Sequence, residues 1–181
     1  MLFRSCGIYA ALFCLANLPA CKVAFFRDEE TGCNGSYFAD VCWFEDCRFI
    51  LQADRRGNND WVTNIGGELA SKEFQNDVSP LLSKYGFKPC SGAMSDVMAL
   101  RDNQVGISCA NMSAGYYNPH CPGEYINAAD LNNTCCLMLE ICQKLTGEYP
   151  FIGEPPKVWK ASYSPYWERE IESDNWEQKH M

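Results

Sequence analysis

Carboxylate and imidazole side chains follow three apolar runs of the sequence, near the point where each run ends. Glu29 and Glu30 come shortly after the run VAFF. Asp54 directly follows the run FILQA, and His120 follows VGISCA through a loop that contains glycine and asparagine. Ligands of open α/β sheets bind outside the carboxyl ends of the strands. If the three runs are strands, these four side chains converge on one place.

Carboxylates together with an imidazole form a ligand set that suits Zn²⁺ and also Mn²⁺ or Co²⁺. Two adjacent glutamates can divide the work, one binding the metal and the other accepting a proton from water. Acidic residues after a strand are also common as solvated loop residues or as charges at a helix N-terminus. The residues alone therefore leave a metal site and a solvated loop both open.

The apolar runs do not alternate with polar residues, and helical patterns separate them, which is typical of a sheet buried on both faces. One helical pattern spans 70–85, and Ser79-Pro80 is predicted to restart it as a second short helix. Another spans 131–145, with Asn127 and Asp130 as a capping pair and Gly147 just past its end. These patterns predict an α/β fold with three layers, a mostly parallel sheet and helices on both faces.

The N-terminal segment MLFRSCGIYAALFCLANLPAC fits two interpretations. Its single arginine, apolar stretch and Leu-Pro-Ala-Cys sequence resemble a signal peptide with a lipoprotein cleavage site. The same residues fit a buried helix over 6–17, packed through Ile8, Leu12 and Leu15. A strand at 22–26 would then follow that helix.

Composition limits the classes of function. The 181 residues fit one domain at 1–150, with an aperiodic C-terminal extension at 151–181 that is wrapped or flexible. The net charge of −8 disfavours nucleic acid, and the lack of a long apolar run disfavours a membrane-spanning helix. The twelve cysteines are predicted to be mainly reduced, with disulfides and a cysteine metal site as the alternatives.

Three segments, in their order along the chain, resemble the di-zinc exopeptidases, the family of zinc aminopeptidases and dipeptidases. The segments are AFFRDEETGCNGS, LQADRRGNNDWV and SGAMSDVMALRDNQVGISCANMSAGYYNPHCPGEYI. The resemblance covers about residues 6–145. It implies a cytoplasmic metallopeptidase that binds two zinc ions in its complete site. Its substrate would be a peptide or amino-acid conjugate, cleaved near a free N-terminus.

The resemblance also assigns roles to individual residues. It makes Glu29 the general base that acts on a metal-activated water. It makes Glu30 and His120 ligands of one zinc and Asp54 a ligand of the other.

Further roles follow from the same resemblance. Gly115 and Tyr116 would lie beside the substrate, and Arg55 and Asp96 are further candidates for contacts around the site. The stretch between Asp54 and His120 is too short for the lid domain of the dipeptidases. The arrangement without a lid is therefore predicted.

The sequence departs from the family at its start. The family's first metal-binding histidine and its bridging aspartate lie upstream of the Glu-Glu segment, and this chain reads MLFRS at the equivalent place. The expectation is either an N-terminally incomplete catalytic domain or a non-catalytic copy that serves as an interaction module. Either predicts little turnover by residues 1–181 alone. A cysteine hydrolase that pairs His120 with Cys33, Cys109 or Cys121 is a third alternative.

Overall fold

The computed structural model describes residues 3–154, with side chains from residue 5 onward. The helices are α1 Phe3–Asn17, α2 Asn34–Tyr37, α3 Lys72–Tyr85, α4 Asp96–Asp102 and α5 Ala128–Lys144. The strands are β1 Ile50–Arg55, β2 Asp60–Asn64, β3 Lys88–Ser91, β4 Cys109–Ser113, β5 Tyr116–Tyr117 and β6 Tyr125–Ile126. Two 3₁₀ turns lie at Glu29–Thr31 and Val41–Phe44.

Four strands form the main sheet in the order β1-β4-β2-β3. The β1–β4 and β2–β3 pairs are parallel, whereas β2 pairs antiparallel to β4. The fold is therefore mixed α/β with a mostly parallel sheet, as predicted. β5 and β6 form a separate two-stranded antiparallel ribbon ahead of α5.

Two apolar clusters lie on opposite faces of the main sheet. Leu51 and Ala53 of β1 belong to the cluster that contains α1, α3 and α5, whereas Ile50 belongs to the cluster that contains α4. Successive side chains of a strand point to opposite faces, so the two clusters must be separated by the sheet. β1 therefore contributes side chains to both clusters.

Helix α1 forms as predicted, but the predicted packing face is wrong. Ile8, Leu12 and Leu15 are 45–48% exposed, whereas Cys6, Ala10 and Cys14 are buried. The reason is the close approach of α1 to β1. A Cβ atom on Gly7 would lie 2.6 Å from the carbonyl oxygen of Ala53, so only small side chains fit on the inner face.

Two further predictions of local structure are wrong. Residues 22–26 were predicted as a strand but pair with no strand in the part of the chain that the structure describes. The predicted break at Ser79-Pro80 is absent, because α3 continues through Pro80. Asn76 and Pro80 are both exposed, so the carbonyl that loses its helical donor faces water.

Helix α5 begins where its capping pattern predicts. The Asn127 side chain accepts hydrogen bonds from the backbone N–H groups of Ala129 and Asp130, at 3.0 and 3.3 Å. All twelve cysteines are free thiols. None of the helices within residues 3–154 has both the length and the apolar character needed to cross a bilayer.

The start of the predicted C-terminal extension contacts the domain. The N–H of Phe151 donates to the carbonyl of Gly106 at 2.9 Å, and Pro150 bridges to Ile107. The rest of the extension, 155–181, lies outside the described residues.

Candidate active site

Glu29 and Glu30 lie in the 3₁₀ turn Glu29–Thr31, between two residues with left-handed backbone. These are Asp28, with φ 60°, and Gly32, with φ 112°. The N–H of Gly32 donates to the carbonyl of Glu29 at 3.1 Å and closes the turn. With about three residues per turn, the two glutamate side chains project roughly 120° apart. They can therefore contact different partners.

Asp54 lies at a β-bulge near the carboxyl end of β1. Ala53 pairs with Met112 and Arg55 pairs with Ser113, so the ladder has no partner for Asp54. The backbone N–H of Asp54 instead donates to the side-chain oxygen of Asn111 at 3.1 Å. Bulges redirect side chains at the ends of strands. Sequence reasoning missed Asn111, although an asparagine inside an apolar strand is a signal that could have found it.

His120 lies next to Glu30. Its Nε2 atom is 3.9 Å from Oε1 of Glu30, and the side chains are 57% and 40% exposed. The loop after β5 reaches this position through two residues with left-handed backbone, Asn118 with φ 53° and His120 with φ 62°. Residues 90 positions apart in the sequence therefore meet, as the metal-site hypothesis requires.

Carboxylates from the Glu-Glu turn, from β1 and from α4 act on one buried thiol, that of Cys33. Burial, as the larger cause, and the charges of four carboxylates together raise the pKa of Cys33 to about 12. These carboxylates are Asp96, Glu29, Asp54 and Glu30. The structure therefore brings the Glu-Glu turn and the end of β1 into one electrostatic environment.

Asp96 is part of this acidic group. It is the first residue of α4, and its Oδ1 accepts a hydrogen bond from the buried Ser36 hydroxyl at 2.7 Å. Burial raises the pKa of Asp96, and the Ser36 hydrogen bond works in the opposite direction. Through this bond α4 holds α2, the short helix that follows the Glu-Glu turn. Ser36 is a second positioning residue that the sequence analysis missed.

Gly115 and Tyr116, predicted to contact the substrate, make structural contacts in the described part of the chain. Gly115 has φ 76°, and a Cβ atom there would lie 2.4 Å from the backbone nitrogen of Leu131. The Tyr116 side chain is buried, and its hydroxyl donates to the carbonyl of Asp54 at 3.2 Å. Arg55 forms a salt bridge with Asp60 at 2.7 Å. Tyr116 therefore supports the strand end that carries Asp54.

A cavity of about 700 Å³ adjoins the acidic group. Glu29, Asp54 and Asp96 line it, and most of the remaining lining is apolar and comes from α1, β1 and residues 20–26. A concave apolar site with a few convergent polar groups is typical of ligand-binding sites.

The donor atoms suit zinc only as a pair. Ligands about 2.0 Å from a tetrahedral ion lie roughly 3.3 Å apart. The Glu30 and His120 atoms, at 3.9 Å, would have to move closer by about 0.6 Å to share one ion. Across residues 3–154, however, no group of three or more His, Cys, Asp or Glu side chains is arranged to hold an ion. Glu30 and His120 therefore fit two positions of one site, and Asp54 lies outside that pair.

Two of the three cysteines considered as nucleophiles, Cys33 and Cys109, fit that role poorly. Cys33 and Cys109 are completely buried, and burial raises the pKa of each to about 12. Cysteine attacks as the thiolate, so both side chains remain protonated and unreactive near neutral pH. Cys121 is exposed and follows His120 directly in the chain.

Comparisons with protein-family descriptions, with curated proteins and with solved structures find no match to this chain.

Proposed function

We propose that this chain carries the site of a zinc-dependent hydrolase that resembles the aminopeptidases. The observation that supports it is the convergence of segments distant in sequence: Glu30 lies 3.9 Å from His120, and Glu29, Glu30 and Asp54 act on the same thiol. In this proposal Glu30 and His120 hold one zinc ion and Asp54 is a ligand of the second. Glu29 is the general base.

Each residue has one task in this scheme. The metal, when bound, supplies a Lewis acid that lowers the pKa of water. Glu29 accepts the proton of the attacking water, and its position in the lining of the cavity supports this role. Tyr116 and Asn111 hold the end of β1, and with it Asp54, through the two hydrogen bonds to its backbone.

The cavity supports a peptide or amino-acid conjugate as the substrate. Its carboxylates favour a substrate with a cationic amino terminus, and its apolar lining favours an apolar side chain. The resemblance also implies that Gly115 and Tyr116 lie beside the substrate, although the cavity is lined by other residues. The proposal also includes a three-layer domain without a lid and a cytoplasmic location.

A non-catalytic interaction module is the second candidate. The specific observation in its favour is the number of ligands. Glu30 and His120 provide two, whereas a stable zinc site needs at least three protein ligands. A fold that keeps the carboxylates but binds metal weakly fits this candidate equally well.

Calorimetric titration with Zn²⁺ tests the metal site. We expect the wild-type chain to bind Zn²⁺, and both His120→Ala and Glu30→Gln to weaken binding by about tenfold or more. His180→Ala replaces the other histidine, and Glu148→Gln replaces an exposed glutamate. Both controls should titrate like wild type. Equal Zn²⁺ uptake by wild type and His120→Ala would contradict the proposed site.

Hydrolysis of amino-acid anilides separates the two candidates when it is measured on the chain extended upstream by a segment that supplies a histidine and an aspartate, because residues 1–181 alone are expected to show little turnover. Chelator-sensitive hydrolysis that Glu29→Gln abolishes, with Zn²⁺ binding retained, supports the hydrolase. Zinc binding without any hydrolysis supports the interaction module.

A further inference from the structure

β1 is the edge strand of the main sheet. It pairs with β4 on one side, and within residues 3–154 no strand pairs with its other side. The cavity of about 700 Å³ follows this open edge, because residues 46–54 line it without interruption. An open strand edge presents backbone N–H and C=O groups to whatever enters. On β1 this edge is open as far as Ala53, whose carbonyl lies against Gly7 of α1.

A second segment without regular secondary structure, residues 20–26, also lines the cavity. Within the described part of the chain, residues 22–26 make no backbone-to-backbone hydrogen bond. Their sequence, KVAFF, has the composition of a strand. The cavity is therefore lined by β1 and by an unpaired segment with a strand-like sequence.

The remaining walls come from both faces of the sheet. Cys14 and Met138 belong to the apolar cluster on the α1 and α5 side. Val97 and Leu100 belong to the cluster on the α4 side. A cavity bounded by both clusters and by the open edge of β1 occupies the position of a further strand of the sheet.

The volume agrees with a short strand. Strands lie about 4.8 Å apart, layers pack about 10 Å apart and a strand rises about 3.3 Å per residue, so one residue occupies roughly 160 Å³. The cavity therefore holds about four extended residues.

The backbone of β1 is oriented for such pairing. The N–H of Ile50 donates to the carbonyl of Ser108 at 2.9 Å, on the side where β4 lies. Successive residues of a strand direct their backbone groups to alternate edges. The N–H and C=O of Leu51 consequently point toward the cavity.

The charges of the lining favour a cationic ligand at one end. Asp54 lies near the carboxyl end of β1, and Glu29 and Asp96, which also line the cavity, act with it on Cys33. Farther along the cavity, Lys22 forms a salt bridge with Asp46. Arg48, the other cation of the lining, donates to the backbone carbonyls of Leu145 and Cys142. The negative charge is therefore concentrated beside Asp54.

We propose that the open edge of β1 and residues 22–26 form a docking site for an extended peptide segment of another chain. The segment adds a strand between them, as in other examples of β-strand addition. It carries apolar side chains on both faces, because both apolar clusters contact it, and a cationic residue that reaches Glu29 and Asp54. This site shares the cavity, Glu29 and Asp54 with the proposed hydrolase. It needs no free N-terminus and no metal, so a blocked peptide in metal-free buffer tests it separately from hydrolysis.

A peptide-binding experiment tests the proposal. The probe is the peptide Lys-Val-Ile-Val-Ile-Lys, acetylated and amidated so that it lacks the free amino group of an exopeptidase substrate. Fluorescence anisotropy measures its binding to the full chain, and hydrogen exchange measures amide protection. We expect saturable binding, with protection increasing at residues 22–26 and in β1.

Matched controls separate strand addition from apolar adsorption. A peptide of the same sequence with alternate amides N-methylated keeps the side chains but cannot pair along that edge, and should bind about tenfold or more weakly. Ala24→Arg places a charge in the cavity and should weaken binding similarly. Ala93→Arg changes an exposed alanine outside the cavity and should leave binding of the peptide unchanged.

Three results would overturn the proposal. They are equal binding of the methylated peptide, equal binding by Ala24→Arg, and strong protection of residues 22–26 in the free protein. The last result would mean that a segment of this chain already fills the cavity.

Discussion

At the residue scale, glycines set how closely the segments around the candidate site approach one another. Gly7 lets α1 lie against the carbonyl of Ala53, next to Asp54. Gly115 lets the loop after β4 lie against the start of α5. Both backbone groups of Gly115 are also bonded, its N–H to the carbonyl of Gly57 and its carbonyl to the N–H of Asn127. These contacts position the strand ends that carry the polar side chains.

Gly115→Ala should therefore destabilise the protein. The new Cβ would lie 2.4 Å from the Leu131 nitrogen, at a residue whose φ of 76° already disfavours alanine. We expect the free energy of unfolding to fall by about 2–4 kcal/mol in a urea titration. Gly123→Ala is the matched control, since nothing lies within 4 Å of its Cβ position. Equal stability of the two variants would show that the loop after β4 can move away from α5.

At the element scale, polar contacts join helices that also pack through apolar residues. The Glu140 carboxylate on α5 accepts a hydrogen bond from the Tyr85 hydroxyl of α3 at 2.6 Å. It also forms ion pairs with Lys84 of α3 at 2.5 Å and with Lys144 of α5 at 3.0 Å. These partners lower the pKa of Glu140 from 4.5 to about 2. One side chain thus connects the two long helices on the same face of the sheet.

This lowered pKa predicts how stability depends on pH. Because the pKa of Glu140 is lower in the folded than in the unfolded protein, its contribution is complete above pH 4.5. It is lost as the pH falls from there toward about 2. In urea titrations across this range, wild type should lose stability more steeply than Glu140→Gln. Glu148→Gln, at an exposed position, should follow wild type. Parallel curves for wild type and Glu140→Gln would contradict the prediction.

At the scale of the whole molecule, α1 is part of the core. Its inner residues Cys6, Ala10 and Cys14 belong to the larger apolar cluster, together with Cys135 and Met138 of α5. Cleavage at the sequence that resembles a lipoprotein signal would remove this helix and expose that cluster to water. The packing therefore favours a chain that keeps its N-terminal residues.

Intact-mass measurement of the natural protein checks this expectation. We expect a mass that includes residues 6–17, because their removal would expose the side of α5 that α1 covers. A mature chain that begins at Cys21, with or without a lipid, would show that the segment is a signal peptide. The domain would then have to fold without α1.

The sequence by itself determined the elements whose signals are local. The periodic apolar residues and the Asn127 cap predicted α5, and the run FILQA predicted β1, because spacing and capping act within a few residues. The positions of the acidic residues and His120 after these elements could also be taken directly from the sequence. That these side chains lie close together was inferred from their positions after the predicted strands.

Only the tertiary structure decided which surfaces contact each other. The inner face of α1 consists of small residues because β1 lies too close for larger ones, and sequence patterning assigned that face to Ile8, Leu12 and Leu15. Residues 22–26 have a strand-like sequence but no neighbouring strand among the described residues. A helix face and a strand both depend on a partner that is distant in the sequence. Local composition cannot specify that partner.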